Sequence, residues 1–342
     1  MDEKSRAEEQ MLTAAVDVQK PMMDFKEFWS LEHMGVTPQE KAEPPFLEAY
    51  QETILRADDG RYMVLFPIKI GHRRIESNRN IAMIRLQGLL GKTQLEDNLK
   101  YHEILQQYIR DGFIEEADRG FNGDCTYLPH RPVIKVSAET TKIRPVFDGS
   151  AHLKERPSIN DALEIGPNLN PEVLAVLLRF RQNRIAWTAD ITQAFLQVEI
   201  RPEHGQLIRF IWIDDPKRPQ PKFIEYRWKR VPFGLSCSPF ILKAVILKHL
   251  KGFEGIYPET VRQLQQQLYV DDWLGGETNV DEAEKRIREA ITIFKATKME
   301  LCKWTSNSAE LIKRLQEVQF KDKKRKRRKQ LSKENFCGPT QR

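Results

Sequence analysis

Apolar residues recur at helical spacing over 79–90 and again over 95–111, where Leu95, Leu99, Leu105, Tyr108 and Ile109 share a face with His102 beside them. Phe223-Ile-Glu-Tyr-Arg-Trp228 has a different rhythm, the strict alternation of a half-buried strand. Two β-like runs between Glu52 and Phe66 flank Asp59-Gly60, a strong hairpin signal. Thr126–Val136 and Lys142–Asp148 predict a second pair of strands, joined by the polar turn Ser137–Thr141. Beyond residue 171 the pattern predicts a helix over Pro171–Arg181 and strands over Ile185–Asp190, Phe195–Ile200 and Leu207–Ile213. Helices over Pro239–Leu250 and Val280–Lys295 follow. Near the N-terminus, Phe25, Phe28 and Trp29 form an aromatic stripe at helical spacing behind a capping Asp24, the pattern of a core or docking surface.

Strands and helices interleave without a regular βαβ order, which predicts an α+β fold with helices on one face of a sheet. No internal repeat is visible. The expected divisions are a polar segment 1–23, a hairpin-and-helix region 24–120, a strand region 121–170, a mixed region 171–315 and a low-complexity tail 316–342.

Composition sharpens this picture in three places. An apolar fraction of 40% in 342 residues supports a substantial core. No run of about 18 apolar residues suggests a membrane span, and the first ten residues lack the apolar stretch of a secretory signal. Cys125, Cys237, Cys302 and Cys337 lie far apart, the pattern of reduced thiols in an intracellular protein and not of a zinc framework. The formal charge of +6 belongs to the tail, because Lys321–Lys329 alone holds 8 basic residues and 1 acidic one. The rest balances 47 basic against 48 acidic residues, so nucleic-acid binding by the body has to come from local patches.

The candidate chemistry centres on Tyr269-Val270-Asp271-Asp272, inside the stretch Leu264–Gly276, which reads as two short strands with the acidic pair at the tight turn between them. Side chains alternate along a strand, so neighbouring aspartates converge only where the backbone turns. Two carboxylates held together repel, and a divalent cation is the usual remedy. A solvated Asp-Asp turn is the ordinary alternative for this tetrapeptide taken alone. Asp190, at the end of the apolar strand Ile185–Ala189, is the natural third carboxylate. Three carboxylates at two strand ends suit a pair of Mg²⁺ ions, as nucleotidyl transfer requires.

Thr188-Ala-Asp190-Ile-Thr-Gln-Ala-Phe195, Val231-Pro-Phe233-Gly234 and Tyr269-Val-Asp271-Asp272 resemble the successive palm motifs of reverse transcriptases. Their order and intervals agree: Gly234 follows Asp190 by 44 positions, and Asp271 follows Gly234 by 37. Upstream, Lys142-Ile-Arg144-Pro-Val-Phe-Asp148 resembles the fingers strand whose arginine holds the incoming triphosphate. Arg144-Pro-Val-Phe-Asp-Gly-Ser150, Phe28-Trp-Ser-Leu-Glu32 and Lys303-Trp-Thr-Ser-Asn307 look most like BEL/Pao-type LTR retrotransposon polyproteins. The resemblance spans roughly 25–315 and rests on four motifs in order, each weak alone.

That resemblance implies a right-handed polymerase fold, with fingers over 121–170 and a palm over 171–315. It implies RNA-directed DNA synthesis on an RNA or DNA template with primer, using dNTPs and two Mg²⁺ ions, with Mn²⁺ as an alternative. Asp190 and Asp271 become the main metal ligands, with Asp272 adjacent. Phe195 becomes a steric gate against a ribose 2′-hydroxyl, and Phe233 and Gly234 pack against nucleotide and template. Arg144 takes the triphosphate, Lys135 is a second cation, and Lys303, with Lys298 competing, stands near the leaving pyrophosphate. The basic cluster Lys217, Arg218, Lys222, Arg227, Lys229 and Arg230 either lines a template–primer track or is diluted by Asp214, Asp215 and Glu225. Singly, each residue has a plainer reading as core or surface; together they favour the polymerase.

Two departures from the family stand out. No Asp-Thr-Gly or Asp-Ser-Gly marks a protease, and nothing after 320 resembles an RNase H or integrase core. Too few residues follow Lys303 to build a helical thumb, so the expected class is fingers and palm with the thumb missing. The basic tail is either a nucleic-acid-binding or nuclear-localisation-like segment or foreign sequence. The expected setting is intracellular, in a cytoplasmic particle or the nucleus, alongside other parts of a polyprotein. The alternative is a catalytically inactive remnant, or a co-opted nucleic-acid-binding protein, that keeps the fold. A viral RNA-dependent RNA polymerase is disfavoured by Phe195.

Overall fold

The computed structural model describes residues 44–71, 74–136 and 141–317. The aromatic stripe of Asp24–His33 and the basic run Lys321–Lys329 lie outside the described residues. Helix α1 (Pro44–Thr53) leads into the antiparallel hairpin β1 (Leu55–Arg56) and β2 (Tyr62–Val64), turning at Asp59-Gly60 as the alternation predicts. Helices α2 (Arg79–Leu90) and α3 (Leu95–Arg110) fall on the two amphipathic stretches. Short strands β3 (Ile114–Glu116) and β4 (Thr126–Tyr127) precede the two-stranded ribbon of β5 (His130–Val136) and β6 (Thr141–Phe147). A single capped turn, α4 (Ile159–Ala162), precedes α5 (Val173–Gln182).

The second half supplies most of two four-stranded sheets. Strands β7 (Ile185–Ile191), β8 (Glu199–Ile200), β9 (Ile208–Ile213) and β10 (Phe223–Trp228) are followed by helices α6 (Ser238–Lys251) and α7 (Pro258–Gln267). Strands β11 (Leu268–Tyr269) and β12 (Asp272–Glu277), helix α8 (Val280–Lys295) and strand β13 (Leu301–Ser306) complete the named elements, and residues 309–317 are helical. One sheet has the order β3-β10-β9-β4, and the other β11-β12-β7-β13. A smaller sheet joins β1, β2 and β8, with β2 and β8 parallel. This is the mixed helix-and-sheet architecture that the interleaved pattern predicts.

Local chemistry explains individual elements. Helix α8 starts where Asn279 Oδ1 accepts the Glu282 N–H at 2.9 Å, with Asp281 and Glu282 in the positive first turn. Its buried residues Ala283, Ile287, Ala290, Ile293 and Phe294 repeat every three or four positions. Helix α6 is buried almost all round, from Phe240 to Leu250, and forms the core's central rod. Behind the ribbon, the His130 ring sits among Tyr101, Phe147, Phe210 and Trp212, at centroid separations of 5.2–5.7 Å.

Two stretches differ from the sequence expectation. Phe195–Ile200 is not one strand. Gln193 takes φ +48°, residues Ala194–Gln197 wind into a 3₁₀ turn, and only Glu199–Ile200 pairs. A left-handed residue redirects the chain, so the apolar run ends the strand instead of starting another. Leu264–Gln267, read as the first strand of the acidic hairpin, is instead the end of α7, with Val261, Leu264 and Gln267 on its buried side. The strand β11 is just the two residues that follow.

Candidate active site

Three carboxylates converge because two strands end in register. Antiparallel pairing sets Asp272 opposite Asp190, Trp273 opposite Ala189 and Gly275 opposite Trp187. Paired side chains share a face. Asp190, Thr188, Asp272 and Leu274 therefore point one way, and Trp187, Ala189 and Trp273 the other. The two indoles are buried and meet edge to face at 5.3 Å, which fixes the sheet beneath the acidic end. Gly275 permits this, since a Cβ there would lie 2.2 Å from the Trp187 ring.

Asp271 belongs to the turn. Tyr269 pairs with Asp272, which leaves Val270 and Asp271 as a two-residue loop. The Asp271 carbonyl accepts the Ile191 N–H at 2.9 Å and ties the loop to the end of β7. One carboxylate oxygen from each of Asp190, Asp271 and Asp272 lies within 4.8 Å of the others. They line an open cleft of about 380 Å³ together with Thr188, Ala189 and Lys303.

Lys303 reaches the cleft through a bulge in β13. The register with β7 slips between Cys302 and Thr305, and Lys303 itself takes φ +53°. Its ammonium contacts Asp190 Oδ2, and the Cys302 thiol lies 3.8 Å from the same oxygen. Lys298, the alternative cation, lies outside the lining of this cleft.

Burial, then Asp272 and Asp190, push the Asp271 carboxyl above its ordinary range. Burial and Asp190 do the same to Asp272. Contact with Asp190 holds the Lys303 ammonium to higher pH than usual. Three carboxylates against one ammonium leave negative charge uncompensated. Oxygen donors at this spacing, facing solvent on one side, fit a hard divalent cation.

The other expected residues divide into two groups. Phe195 follows β7 by one turn and meets the Phe233 ring edge to face at 5.3 Å. Gly234 takes φ +93°, and a Cβ there would fall 2.1 Å from the Phe147 carbonyl oxygen. The end of β6 therefore presses on the Phe233-Gly234 turn. Asn160 braces that turn from α4: its amide donates to the Gly234 carbonyl at 3.3 Å and accepts the Ser236 N–H at 2.9 Å. Arg144 is exposed on β6 opposite Val133, and Lys135 lies on β5 opposite Lys142. Arg144 is not among the residues that line the carboxylate cleft.

The β10 basic cluster is largely engaged in ion pairs. Arg227 and Lys229 both pair with Glu115, Arg230 with Glu199, and Arg218 with Asp214. These pairs oppose its reading as a free phosphate track.

Sequence reasoning missed two supports of the acidic hairpin. The Asn170 amide oxygen accepts the Val270 N–H at 3.1 Å. Lys243, buried on α6, donates to the Leu268 carbonyl at 2.7 Å, and burial pushes its ammonium down to about 8. A single lysine inside the apolar run Phe240–Leu247 was a visible signal. Nothing local pointed Asn170 at a turn 100 residues away.

Residues 140–305 match the family model described as reverse transcriptase (RNA-dependent DNA polymerase). No curated protein matches the chain. Among solved structures, a foamy viral protease-reverse transcriptase in complex with an RNA/DNA hybrid is similar in fold, with a TM-score of 0.50 at 16% identity. That likeness covers 76% of this chain but only 30% of the foamy viral chain. Fingers-and-palm architecture is thus shared. Among the described residues, no helix is long and apolar enough to cross a membrane.

Proposed function

We propose that this chain is an RNA-directed DNA polymerase domain that joins a dNTP to a primer 3′-hydroxyl on an RNA or DNA template. One observation carries the reading: three carboxylates from two strand ends gather within 4.8 Å at the floor of an open cleft. Asp190 and Asp271 are the principal ligands in this reading, with Asp272 beside them, and Mg²⁺ is the resident ion, replaceable by Mn²⁺. A bound pair of such ions lowers the barrier to attack by the 3′-hydroxyl and stabilises the pyrophosphate that leaves.

The chain's own residues do the rest. Phe195, held by Phe233, sits beneath the sugar and excludes a 2′-hydroxyl. Gly234 lets the backbone approach the nucleotide without a Cβ. Arg144 and Lys135 bring positive charge along the ribbon to the triphosphate, the guanidinium fork matching phosphate oxygens. Lys303 pairs with Asp190 before substrate arrives and is placed to meet charge developing on the leaving group. The sequence around Arg144 and Lys303 supports a BEL/Pao-type polyprotein as its setting, in a cytoplasmic particle or the nucleus.

Primer extension on poly(rA)/oligo(dT) with Mg²⁺ and dTTP tests the reading, wild type beside Asp271→Asn. Extension by the wild type alone supports it. No extension by either folded protein sinks it and leaves a nucleic-acid-binding remnant of the fold.

A further inference from the structure

The acidic turn has an unusual residue at its apex. Val270 occupies the first central position of the two-residue loop with φ +54°, where glycine is the ordinary choice. A β-branched side chain in that region is strained, and such strain persists only where neighbours hold it. Asp271 follows directly in the loop, so the Val270 conformation helps to set where its carboxylate goes.

The Val270 side chain packs against the core, and the neighbour that bonds its backbone is Asn170. It stands in the loop ahead of α5, and its amide oxygen accepts the Val270 N–H at 3.1 Å. The amide is itself oriented. Asn168 Oδ1 accepts both the Asn170 backbone N–H at 3.1 Å and its Nδ2 at 3.3 Å, which leaves Oδ1 facing Val270. No strand partner supplies this bond, since the ladder of β11 and β12 closes at Tyr269 and Asp272.

We propose that Asn170 is a positioning residue for the carboxylate turn, acting through the Val270 backbone to set Asp271 and Asp272 against Asp190. It touches neither substrate nor metal. The inference deepens the polymerase reading and rests on it for its catalytic consequence, but the bond itself can be read without any activity.

The experiment compares Asn170→Ala in the wild-type background and in a Val270→Gly background, where the loop is no longer strained. Three readouts are taken on the full chain, after circular dichroism has shown each variant folded: hydrogen exchange at the Val270 amide, Mn²⁺ affinity without nucleic acid, and primer-extension kinetics. In the wild-type background, the substitution should speed Val270 exchange by about 10-fold or more. It should also weaken Mn²⁺ binding and lower kcat by about 10- to 100-fold, as loss of supports behind metal ligands does, with little change in the dTTP KM. In the Val270→Gly background the Mn²⁺ and kcat losses should shrink to about 2-fold or less.

Unchanged exchange at Val270 overturns the proposal, as do equal losses in both backgrounds. If the wild type neither extends a primer nor binds Mn²⁺, the polymerase reading fails. The exchange comparison still decides whether Asn170 holds the turn.

Discussion

Asp190 and Asp272 stand directly opposite each other as register partners on β7 and β12, two like charges where a sheet ordinarily avoids them. Burial and this neighbour raise the Asp272 carboxyl, so the folded chain holds that proton to higher pH than the unfolded chain does. The stabilisation is full below the unfolded value and is lost as pH rises through the folded one. At neutral pH the metal-free protein therefore carries a repulsion that Lys303 relieves only in part. Asp272→Asn is expected to raise the melting temperature in chelator, more at pH 7 than at pH 4, and added Mg²⁺ should narrow the gap. Scanning calorimetry at the two pH values checks this. No gain in chelator would contradict it.

Asp271→Asn removes the proposed ligand that the loop presents. Metal-borne charge stabilisation is worth several kcal/mol, so primer extension is expected to fall by about 10³-fold or more with the fold retained. A loss smaller than about 10-fold would remove Asp271 from the ligand set.

Phe195→Ala deletes the ring that Phe233 buttresses. Incorporation of rNTPs relative to dNTPs should rise, while the dNTP rate changes much less. Single-nucleotide extension with paired dTTP and UTP measures the ratio, and an unchanged ratio would end the gate assignment.

Gly234→Ala meets two obstacles at once: a φ of +93° and a Cβ 2.1 Å from the Phe147 carbonyl. The expected cost is about 2–5 kcal/mol, visible in urea denaturation as a lower midpoint. A drop well under 1 kcal/mol would mean that β6 and the Phe233-Gly234 turn shift apart freely.

His130 predicts a pH dependence away from the cleft. Its ring is buried with Nδ1 2.7 Å from the Tyr101 hydroxyl and Nε2 2.9 Å from the Ile211 carbonyl, and burial pushes it down to about 4. The folded state keeps it neutral while the unfolded chain takes a proton near pH 6.5. Its contribution should be complete above that value and fall by up to about 3 kcal/mol as pH drops toward 4. Urea titrations should show a shallower slope in His130→Phe than in wild type, the remainder coming from His102, His204 and His249, which burial also pushes down.

Much of this was written locally in the chain. Helices α2, α3 and α8 follow from apolar spacing, and the ribbon from two β-like runs about a polar turn. The acidic pair announced a turn, which falls one residue earlier, on Val270-Asp271, with Asp272 opening β12, and Asp190 lies by its strand end. What escaped was long-range or conformational. Gln193 bends the chain after β7 through a backbone state that its type does not announce. Helix α7 hid because its polar Gln265–Gln267 run masks buried positions at Val261 and Leu264. Asn170 and Lys243 act on the hairpin through contacts that only tertiary packing brings together.

The β5–β6 ribbon is an arm fixed at its root. Among the described residues no third strand pairs with it, Val133 and Val146 remain exposed on it, and His130 and Phe147 anchor its base in the aromatic cluster. A lone two-stranded ribbon is only marginally stable by itself. Its outer part is held mainly by one inter-strand ladder. Arg144 lies three residues out from Phe147 on this arm, whereas Asp190 and Asp272 lie in a four-stranded sheet. A charge presented on such an arm can adjust to an anion at a smaller cost in packing than a charge rooted in the sheet.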